Sequence, residues 1–424
     1  MVILSGPMDL FILASGQFLL SAAVLGLTGP SSVIRHAITP ILIGLCWTFV
    51  VLSRVQISPP LASTLSGFIM CSLLNYVAMA SLSTWCFEAR GPSSLLTKSK
   101  AKTVSPDSEA GDVAPRKRPG AALERILWGL QSLLSYRDVN TPFEVKNVPH
   151  FRPEDPSYVP TKAAFLTRSM VTLGTCYLVL DFIESRPPPP NATVLFSAER
   201  LVLWGRLSQV TLSEVFTRMA ASAWFWVMLS TAITGGASAV NIVCVALHLS
   251  PVERCRPMMG PLAEAYTIRG FWGKTWHQTT RKPFNSLATF IGDEVFVFRK
   301  GSQPNTYSKI FLTFFISGIL HQAIDYAQGV PWAQSGSLIF FCIQACGIVV
   351  EDTTQFIYRW VTGAKFEDPS KLWTRLVGYV WMVFFMLFWT TPWWFYPTAL
   401  VSAGRSDATI IPYALSVFKT LPTH

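Results

Sequence analysis

Residues 10–27, with the sequence LFILASGQFLLSAAVLGL, decide the fold class of this chain. The stretch carries no charged side chain, and its length is close to the roughly 20 residues that a helix needs to cross the bilayer core. A cleavable signal peptide has a basic region before its apolar run, and no such region precedes this one. We therefore expect it to remain in the protein as a first transmembrane helix.

Other parts of the chain repeat this pattern. Only 14% of the residues are charged, whereas soluble proteins have about 25%. The net charge of +10 comes from basic residues between apolar runs, which is typical of positive-inside topology, so no nucleic-acid partner is predicted. The sequence predicts an all-α polytopic membrane protein, embedded in the lipid bilayer. About eight spans are expected, near 10–29, 37–55, 61–87, 163–183, 213–250, 307–324, 332–350 and 376–400.

Three segments are expected along the chain. Residues 1–87 form an N-terminal three-helix membrane segment, and 163–424 form a second membrane segment. Between them, 88–162 is a polar cytosolic loop. The first half of that loop, about 91–120, has the composition of a disordered segment. Its second half contains an amphipathic helix near 121–134, which we expect to lie on the membrane surface.

Charge also predicts the topology. With the 88–162 loop in the cytosol, Asn191 in the sequon Asn191-Ala192-Thr193 is lumenal and is a predicted glycosylation site. The apolar region 213–250 contains Gly235-Gly236 and allows one or two crossings. One crossing keeps 251–306, with its eight Lys and Arg residues, in the cytosol. We favour one crossing, with a kink or partial re-entrant turn at the glycine pair.

His321 stands out because it lies within an otherwise apolar span. Fourteen helical rises of about 1.5 Å from Tyr307 place it about 20 Å into the membrane, where an ionisable group is by default a functional hypothesis. Neutral imidazole is a good general base near neutral pH. Asp325, one turn further on, either orients the imidazole or marks the helix end. A structural histidine bonded to a neighbouring helix is an equally good interpretation.

A second unusual segment is Arg269 to Gln278, with the sequence RGFWGKTWHQ. Arg269 and Lys274 are candidates to bind the phosphates of a molecule such as coenzyme A. The tryptophans are suited to lining a pocket mouth. From composition alone, an interfacial aromatic anchor without chemistry is the favoured explanation.

The remaining polar residues give weaker signals. His248 is interpreted as structural, and Glu351-Asp352 as a solvated cap of a cytosolic loop. The eight cysteines lie mostly in apolar stretches and are interpreted as buried thiols, so no metal site is predicted. A membrane transporter is an alternative, since it also uses intramembrane polar residues and broken helices. The chain shows no internal repeat that would favour it.

Considered together, the two histidine segments resemble the membrane-bound O-acyltransferase superfamily, in its wax-synthase-like branch. The signature of that branch is Arg, then Phe-Trp-Gly, then Trp-His, and it matches Arg269 through His277. Branches that act on sterols and diacylglycerol have Asn at the His277 position. The superfamily's other hallmark, an intramembrane histidine, matches His321. The resemblance covers about 220–400 and is nearest to fungal enzymes that acetylate hydroxyls of terpenoids and meroterpenoids.

This resemblance implies a membrane-embedded acyltransferase core within 163–424, in the endoplasmic reticulum. The implied donor is acetyl-CoA or another acyl-CoA, with no bound cofactor, and the acceptor is a lipophilic alcohol. His321 is the implied general base, and His277 orients the hydroxyl or thioester or donates to the oxyanion. Arg269 and Lys274 would bind the coenzyme, with Trp272 and Trp276 as pocket walls. Long-chain wax ester synthesis is the alternative activity, and no oligomeric state is implied.

Overall fold

A computed structural model describes residues 7–96, 121–186, 189–363 and 372–402. Within these ranges the structure is overwhelmingly helical, and its only strands are the antiparallel pair β1 (Trp85–Cys86) and β2 (Gly91–Pro92). Most of the segment for which disorder was predicted, residues 97–120, lies outside the described ranges.

The α-helices are numbered in chain order. They are α1 (Pro7–Leu27), α2 (Ile34–Ala37), α3 (Thr39–Gln56), α4 (Pro59–Val77), α5 (Ala122–Leu134), α6 (Lys162–Glu184), α7 (Ala192–Leu195), α8 (Leu212–Ala246), α9 (Ile268–Gly270), α10 (Arg281–Phe290), α11 (Gln303–Gln328), α12 (Ser337–Thr362), α13 (Leu372–Met382) and α14 (Thr391–Ser402). Segments of π-helix follow α4, α9, α10 and α13, at Ala78–Leu82, Phe271–Thr275, Ile291–Val295 and Val383–Thr390. Short 3₁₀ turns lie at Ala198–Arg200, Leu207–Gln209, Val252–Arg254, Leu262–Glu264 and Trp332–Gln334.

Eight helices among the described residues are long and apolar enough to cross a membrane. This confirms the predicted all-α polytopic architecture, and the chain is an integral membrane protein. The eight spans are Met8–Leu27, Ile34–Gln56, Pro59–Leu82, Lys162–Glu184, Leu212–Ala246, Gln303–Gln328, Trp332–Thr362 and Leu372–Val401. Two of them, the sixth and seventh, are clearly longer than predicted, because their helices continue beyond the charge-free runs.

The ambiguous region 213–250 forms one continuous helix, α8, of 35 residues. The helix agrees with the favoured single crossing, and it excludes the partial re-entrant turn that was one of two alternatives at Gly235-Gly236. A methyl group added to Gly235 would lie 3.1 Å from the Cβ atom of Cys176 on α6. The glycine thus allows α6 and α8 to approach closely, as small residues do in membrane helix pairs.

Asn191, at the turn before α7, is exposed, and its glycosylation stays a prediction.

Contacts divide the chain into two compact units. The first comprises the described residues of Met1–Asp138 and Thr279–Gln328, and the second those of Val139–Gln278 and Gly329–His424. The predicted division into an N-terminal membrane segment (1–87), a cytosolic loop (88–162) and a membrane-embedded acyltransferase core (163–424) stays a prediction.

In the first unit, a fully buried arginine holds the end of α1. Arg35 donates hydrogen bonds to the backbone oxygens of Thr28 at 2.7 Å, Trp85 at 2.8 Å and Leu25 at 3.3 Å. The last carbonyls of a helix have no partner inside the helix, and a cation is favourable there. Arg35 therefore ends α1 and joins it to β1 through one side chain.

Helix α11 of the first unit carries His321 and is fixed at both ends. Near its start, Asp293 accepts hydrogen bonds from Asn305 at 2.7 Å and Lys309 at 2.6 Å, and these bonds lower the pKa of the Asp293 carboxyl. At its end, Arg54 donates to the backbone oxygen of Tyr326 at 2.9 Å and lies over the Tyr326 ring. The helix therefore has an ion-paired start and a capped end.

The predicted amphipathic helix exists as α5, and it packs directly on α1. A methyl group added to Gly129 would collide with the backbone oxygen of Ala22, and one added to Gly26 would collide with that of Arg125. The two backbones thus touch with no side chain between them. The opposite side of α5 exposes Leu123 and Leu127. Its predicted place on the membrane surface stays a prediction.

We expect Gly129→Ala to destabilise the protein by about 1–3 kcal/mol, because the new methyl group must push α5 away from α1. The measurement is the thermal unfolding midpoint of purified protein in detergent. The matched control is Gly16→Ala in α1, where nothing lies within 4 Å of the added methyl group. Equal melting temperatures for the two variants would contradict this packing.

Candidate active site

The Arg269–Gln278 segment folds as a compact turn in the second unit. Thr267 begins α9, since its Oγ1 atom accepts a hydrogen bond from the Gly270 N–H at 2.9 Å. The π-helical turn Phe271–Thr275 follows, and its end is held because the N–H of Gly260 donates to the Thr275 oxygen at 2.8 Å. Single π-helical turns are often found at functional sites. The segment is thus a rigid, folded element.

Glu351 of α12 binds the residue that begins α9. The prediction that Glu351 is a solvated cap of a loop is wrong. It is 8% exposed, because α12 continues past it to Thr362. Its Oε1 atom accepts hydrogen bonds from the N–H of Ile268 at 2.7 Å and from Nε1 of Trp381 at 2.9 Å. The carboxylate therefore fixes the first residue of α9, where the motif begins.

An aromatic cluster surrounds the motif, with Trp226 of α8 at its centre. The Trp226 ring meets Trp276 edge-on at 5.0 Å, Phe271 at 5.3 Å and Trp272 at 6.1 Å between centroids. Phe340 of α12 lies 6.2 Å from Trp226 and 6.3 Å from Trp272. Edge-to-face pairs of this kind are favourable beyond the area they bury. They hold the aromatic residues of the motif in fixed orientations.

Two indole N–H groups of this cluster, those of Trp272 and Trp226, have buried acceptors. Trp272 Nε1 donates to Gln344 Oε1 at 3.2 Å, and the Gln344 amide donates in turn to Thr390 Oγ1 at 3.2 Å. Trp226 Nε1 donates to Thr391 Oγ1 at 2.8 Å. Gln344, Thr390 and Thr391 are all 0% exposed. A buried network with its donors satisfied makes the surrounding structure rigid. No local sequence pattern identifies Trp226, Gln344 or the two threonines.

His277 comes directly after this network. Its ring lies 5.3 Å from that of Trp276, and the side chain is partly buried. The Gln278 amide donates to the backbone oxygens of Trp272, at 3.1 Å, and of Trp276. Gln278 is only 3% exposed. The backbone on both sides of His277 is thereby held in place.

The two cations of the motif have carboxylate partners at the surface. Arg269 Nη2 lies 2.6 Å from Asp352 Oδ2, and Lys274 Nζ lies 2.7 Å from Glu264 Oε2. The Arg269 and Lys274 side chains are 51% and 52% exposed. Ion pairs this exposed contribute about 0–1 kcal/mol, so an incoming anion can displace the carboxylates.

Lys274 also lines an open groove of about 480 Å³. The other lining residues are Pro261, Glu264 and the segment 144–150, which contributes Lys146 and His150. Asn147 joins that segment to the motif, since its Nδ2 atom donates to the Gly273 oxygen at 2.8 Å. The groove is therefore part of the folded surface around the motif.

His321 belongs to the first unit, on α11. Its Nδ1 atom lies 2.7 Å from the backbone oxygen of Ser317, which can only accept a hydrogen bond. The proton of the neutral ring is thus on Nδ1, and the basic lone pair is on Nε2. Asp325, one turn further on, is 2% exposed. Its predicted role in orienting the imidazole stays a prediction, and the Ser317 carbonyl already fixes the ring.

The environment of His248 differs from those of His277 and His321. It is exposed at the end of α8, and its Nε2 atom lies 3.0 Å from Lys162 Nζ. The interpretation of His248 as a structural residue stays a prediction.

One family model matches the part of the chain that contains both the motif and His321. The sequence model of the "Membrane bound O-acyl transferase family" matches residues 255–343. The chain is 33% identical to acetyltransferase aurG of Calcarisporium arbuscula over 378 residues, 87% of this chain and 88% of the relative. It is 31% identical to acetyltransferase fsoF of Humicola fuscoatra, covering 80% and 83%. It is 28% identical to acetyltransferase atnC of Arthrinium sp, covering 100% and 95%.

No solved structure shows significant similarity to the chain. The similarity to these relatives extends over most of each chain, well beyond the matched range of the family model. The protein is therefore an acyl-transferring enzyme and belongs to the membrane-bound O-acyltransferase family.

Proposed function

We propose that this enzyme transfers an acetyl group from acetyl-CoA to a hydroxyl of a lipophilic alcohol, with His321 as general base. The observation that carries the assignment is the hydrogen bond from His321 Nδ1 to the Ser317 oxygen at 2.7 Å, which leaves the basic lone pair on Nε2. The names of the relatives, acetyltransferases in each case, support acetyl as the group transferred. The proposed acceptor is a terpenoid or meroterpenoid alcohol, and the proposed location is the endoplasmic reticulum.

The proposed reaction is a direct transfer. The hydroxyl oxygen attacks the thioester carbonyl while its proton passes to Nε2 of His321. The tetrahedral intermediate then collapses, the C–S bond breaks, and the proton passes from His321 to the departing thiolate of coenzyme A. We assign His277 to hydrogen bonding with the hydroxyl, the thioester or the oxyanion. The fixed backbone around His277 supports this role, because an oxyanion donor is effective only when it is held in place beforehand.

Arg269 and Lys274 are proposed to bind the phosphates of the coenzyme. Both are half exposed, and each has a carboxylate partner that a phosphate can replace. The groove beside Lys274 offers space for a polar group next to the motif. Trp272 and Trp276 are proposed as walls of the acyl-transfer pocket.

His321→Ala should lower kcat/KM by at least about 100-fold, because the variant has no group to accept the hydroxyl proton. The measurement is release of free coenzyme A from acetyl-CoA by purified protein with a terpenoid alcohol. His248→Ala is the matched control and should keep wild-type activity. Near wild-type turnover by His321→Ala would refute the assignment. Faster turnover with palmitoyl-CoA and a fatty alcohol would favour wax ester synthesis instead.

His277→Ala should also be severely impaired, with a loss of about 100-fold or more in kcat if the imidazole donates to the oxyanion. His277→Asn should retain part of the activity, since the amide keeps a hydrogen-bond donor. The comparison of kcat for the two variants is the test. If His277→Ala and His277→Asn have the same kcat, His277 is not a hydrogen-bond donor in the reaction.

Lys274→Ala should raise KM for acetyl-CoA by roughly 5-fold and leave kcat almost unchanged, because one exposed phosphate contact is lost. Glu264→Gln should have the opposite effect, since it removes the carboxylate that competes for Lys274. Lys300→Ala, with a side chain that is 75% exposed, is the control and should change neither constant. Equal KM values for Lys274→Ala and Lys300→Ala would exclude Lys274 from coenzyme binding.

A further inference from the structure

A cluster of charged residues at the start of α8 has more positive than negative charge. Glu214 accepts two hydrogen bonds from Arg206, at 2.7 and 2.8 Å. Arg200 and Arg218 lie further from the same carboxylate, with N–O distances of 3.6 and 3.7 Å. In the described part of the chain, Glu214 is the only carboxylate within 4.0 Å of these three guanidinium groups. The cluster therefore carries a net charge of about +2.

Most of this charge is shielded from water. The Arg218 side chain is 0% exposed and that of Glu214 is 5% exposed. Arg218 donates to the backbone oxygens of Phe388, at 3.0 Å, and of Arg200. Its Nη2 atom is buried and has no hydrogen-bond partner among the described residues. One turn further along α8, the Oγ atom of Ser222 is buried in the same way. Buried charge is costly unless it is compensated, so the cluster favours an anionic ligand.

The surroundings of the cluster indicate where that anion comes from. The loop before α8 and the first turns of the helix expose large apolar side chains. Trp204 is 71% exposed, Leu212 is 76% exposed and Phe216 is 70% exposed. Exposed aromatic residues at the end of a span are typical of the membrane interface, where phospholipid headgroups lie. Acyl chains can therefore contact these residues while the headgroup reaches the arginines.

We propose that Arg200 and Arg206, with the buried charge of Arg218 behind them, form a binding site for the phosphate of an anionic phospholipid. Arg200 is the residue that the phosphate meets first. Its side chain is 29% exposed, and its distance from Glu214, 3.6 Å, is longer than the 2.7 Å of the partly exposed Arg206. Guanidinium groups bind phosphate oxygens in a bidentate manner, which suits a headgroup at this position. The bound lipid joins the loop before α8 to the π-helical segment that contains Phe388. None of these three arginines is assigned a part in acyl transfer.

The test uses the full-length protein in detergent, titrated with phosphatidylinositol or with phosphatidylcholine. We expect phosphatidylinositol to raise the melting temperature by roughly 5 °C at a hundredfold excess over Kd. Arg200→Gln should reduce this shift to that of phosphatidylcholine, and Arg200→Lys should restore part of it. Arg186→Gln is the matched control and should keep the full shift. Its guanidinium is exposed and lies 4.2 Å from the centroid of the Phe182 ring.

A second measurement counts bound lipid by native mass spectrometry. One phosphatidylinositol should remain on the wild-type protein and on Arg186→Gln, and none on Arg200→Gln. An unchanged lipid-specific shift in Arg200→Gln would overturn the proposal, and so would equal shifts with the two lipids. If inorganic phosphate alone gives the full shift, the site binds free phosphate and the lipid assignment is wrong.

Discussion

The exclusion of water from the bilayer core is the constraint on which the rest of this structure depends. A polar group inside the membrane has to find its partner within the protein. Arg35 illustrates the consequence, since one buried guanidinium satisfies three backbone oxygens and thereby determines where α1 ends. Arg54, which is partly buried, donates to one backbone oxygen at the end of α11. Arginine side chains therefore cap both helix ends, a role that side chains share with water in soluble proteins.

The same constraint shapes the acyltransferase motif. Its start is fixed by a buried carboxylate, Glu351, and its Trp272 donates to the buried amide of Gln344. Trp226 of α8, which packs on the motif, donates to the buried hydroxyl of Thr391. Each of these bonds crosses from one helix to another. The motif consequently depends on α8, α12 and the start of α14 for its shape, although it occupies only ten residues of the sequence. This supports the view that its side chains are arranged before substrate arrives.

Sequence reasoning predicted the eight spans, because a charge-free run of sufficient length has few alternatives to a membrane helix. At Gly235 it left a kink or a partial re-entrant turn open, whereas the glycine allows a close approach to Cys176 within an unbroken helix. It failed at Glu351, because a carboxylate just after an apolar run looks like a loop residue. Its partners Ile268 and Trp381 are distant in sequence, and no local pattern identifies them. The roles proposed for His321 and His277 rest on family resemblance, whereas the tautomer of His321 follows from its contact with the Ser317 oxygen.

The π-helical segment Val383–Thr390 determines how a change of length at this point would affect the rest of the chain. It joins α13 and α14 without a break. Such wide turns correspond to one residue more than an α-helix would use. Loss of one residue from this segment would let it close as ordinary α-helix, and the helix after it would keep nearly the same orientation. Thr391 would then still face Trp226. What would be lost is the widened turn itself, which includes the Phe388 carbonyl that accepts from Arg218.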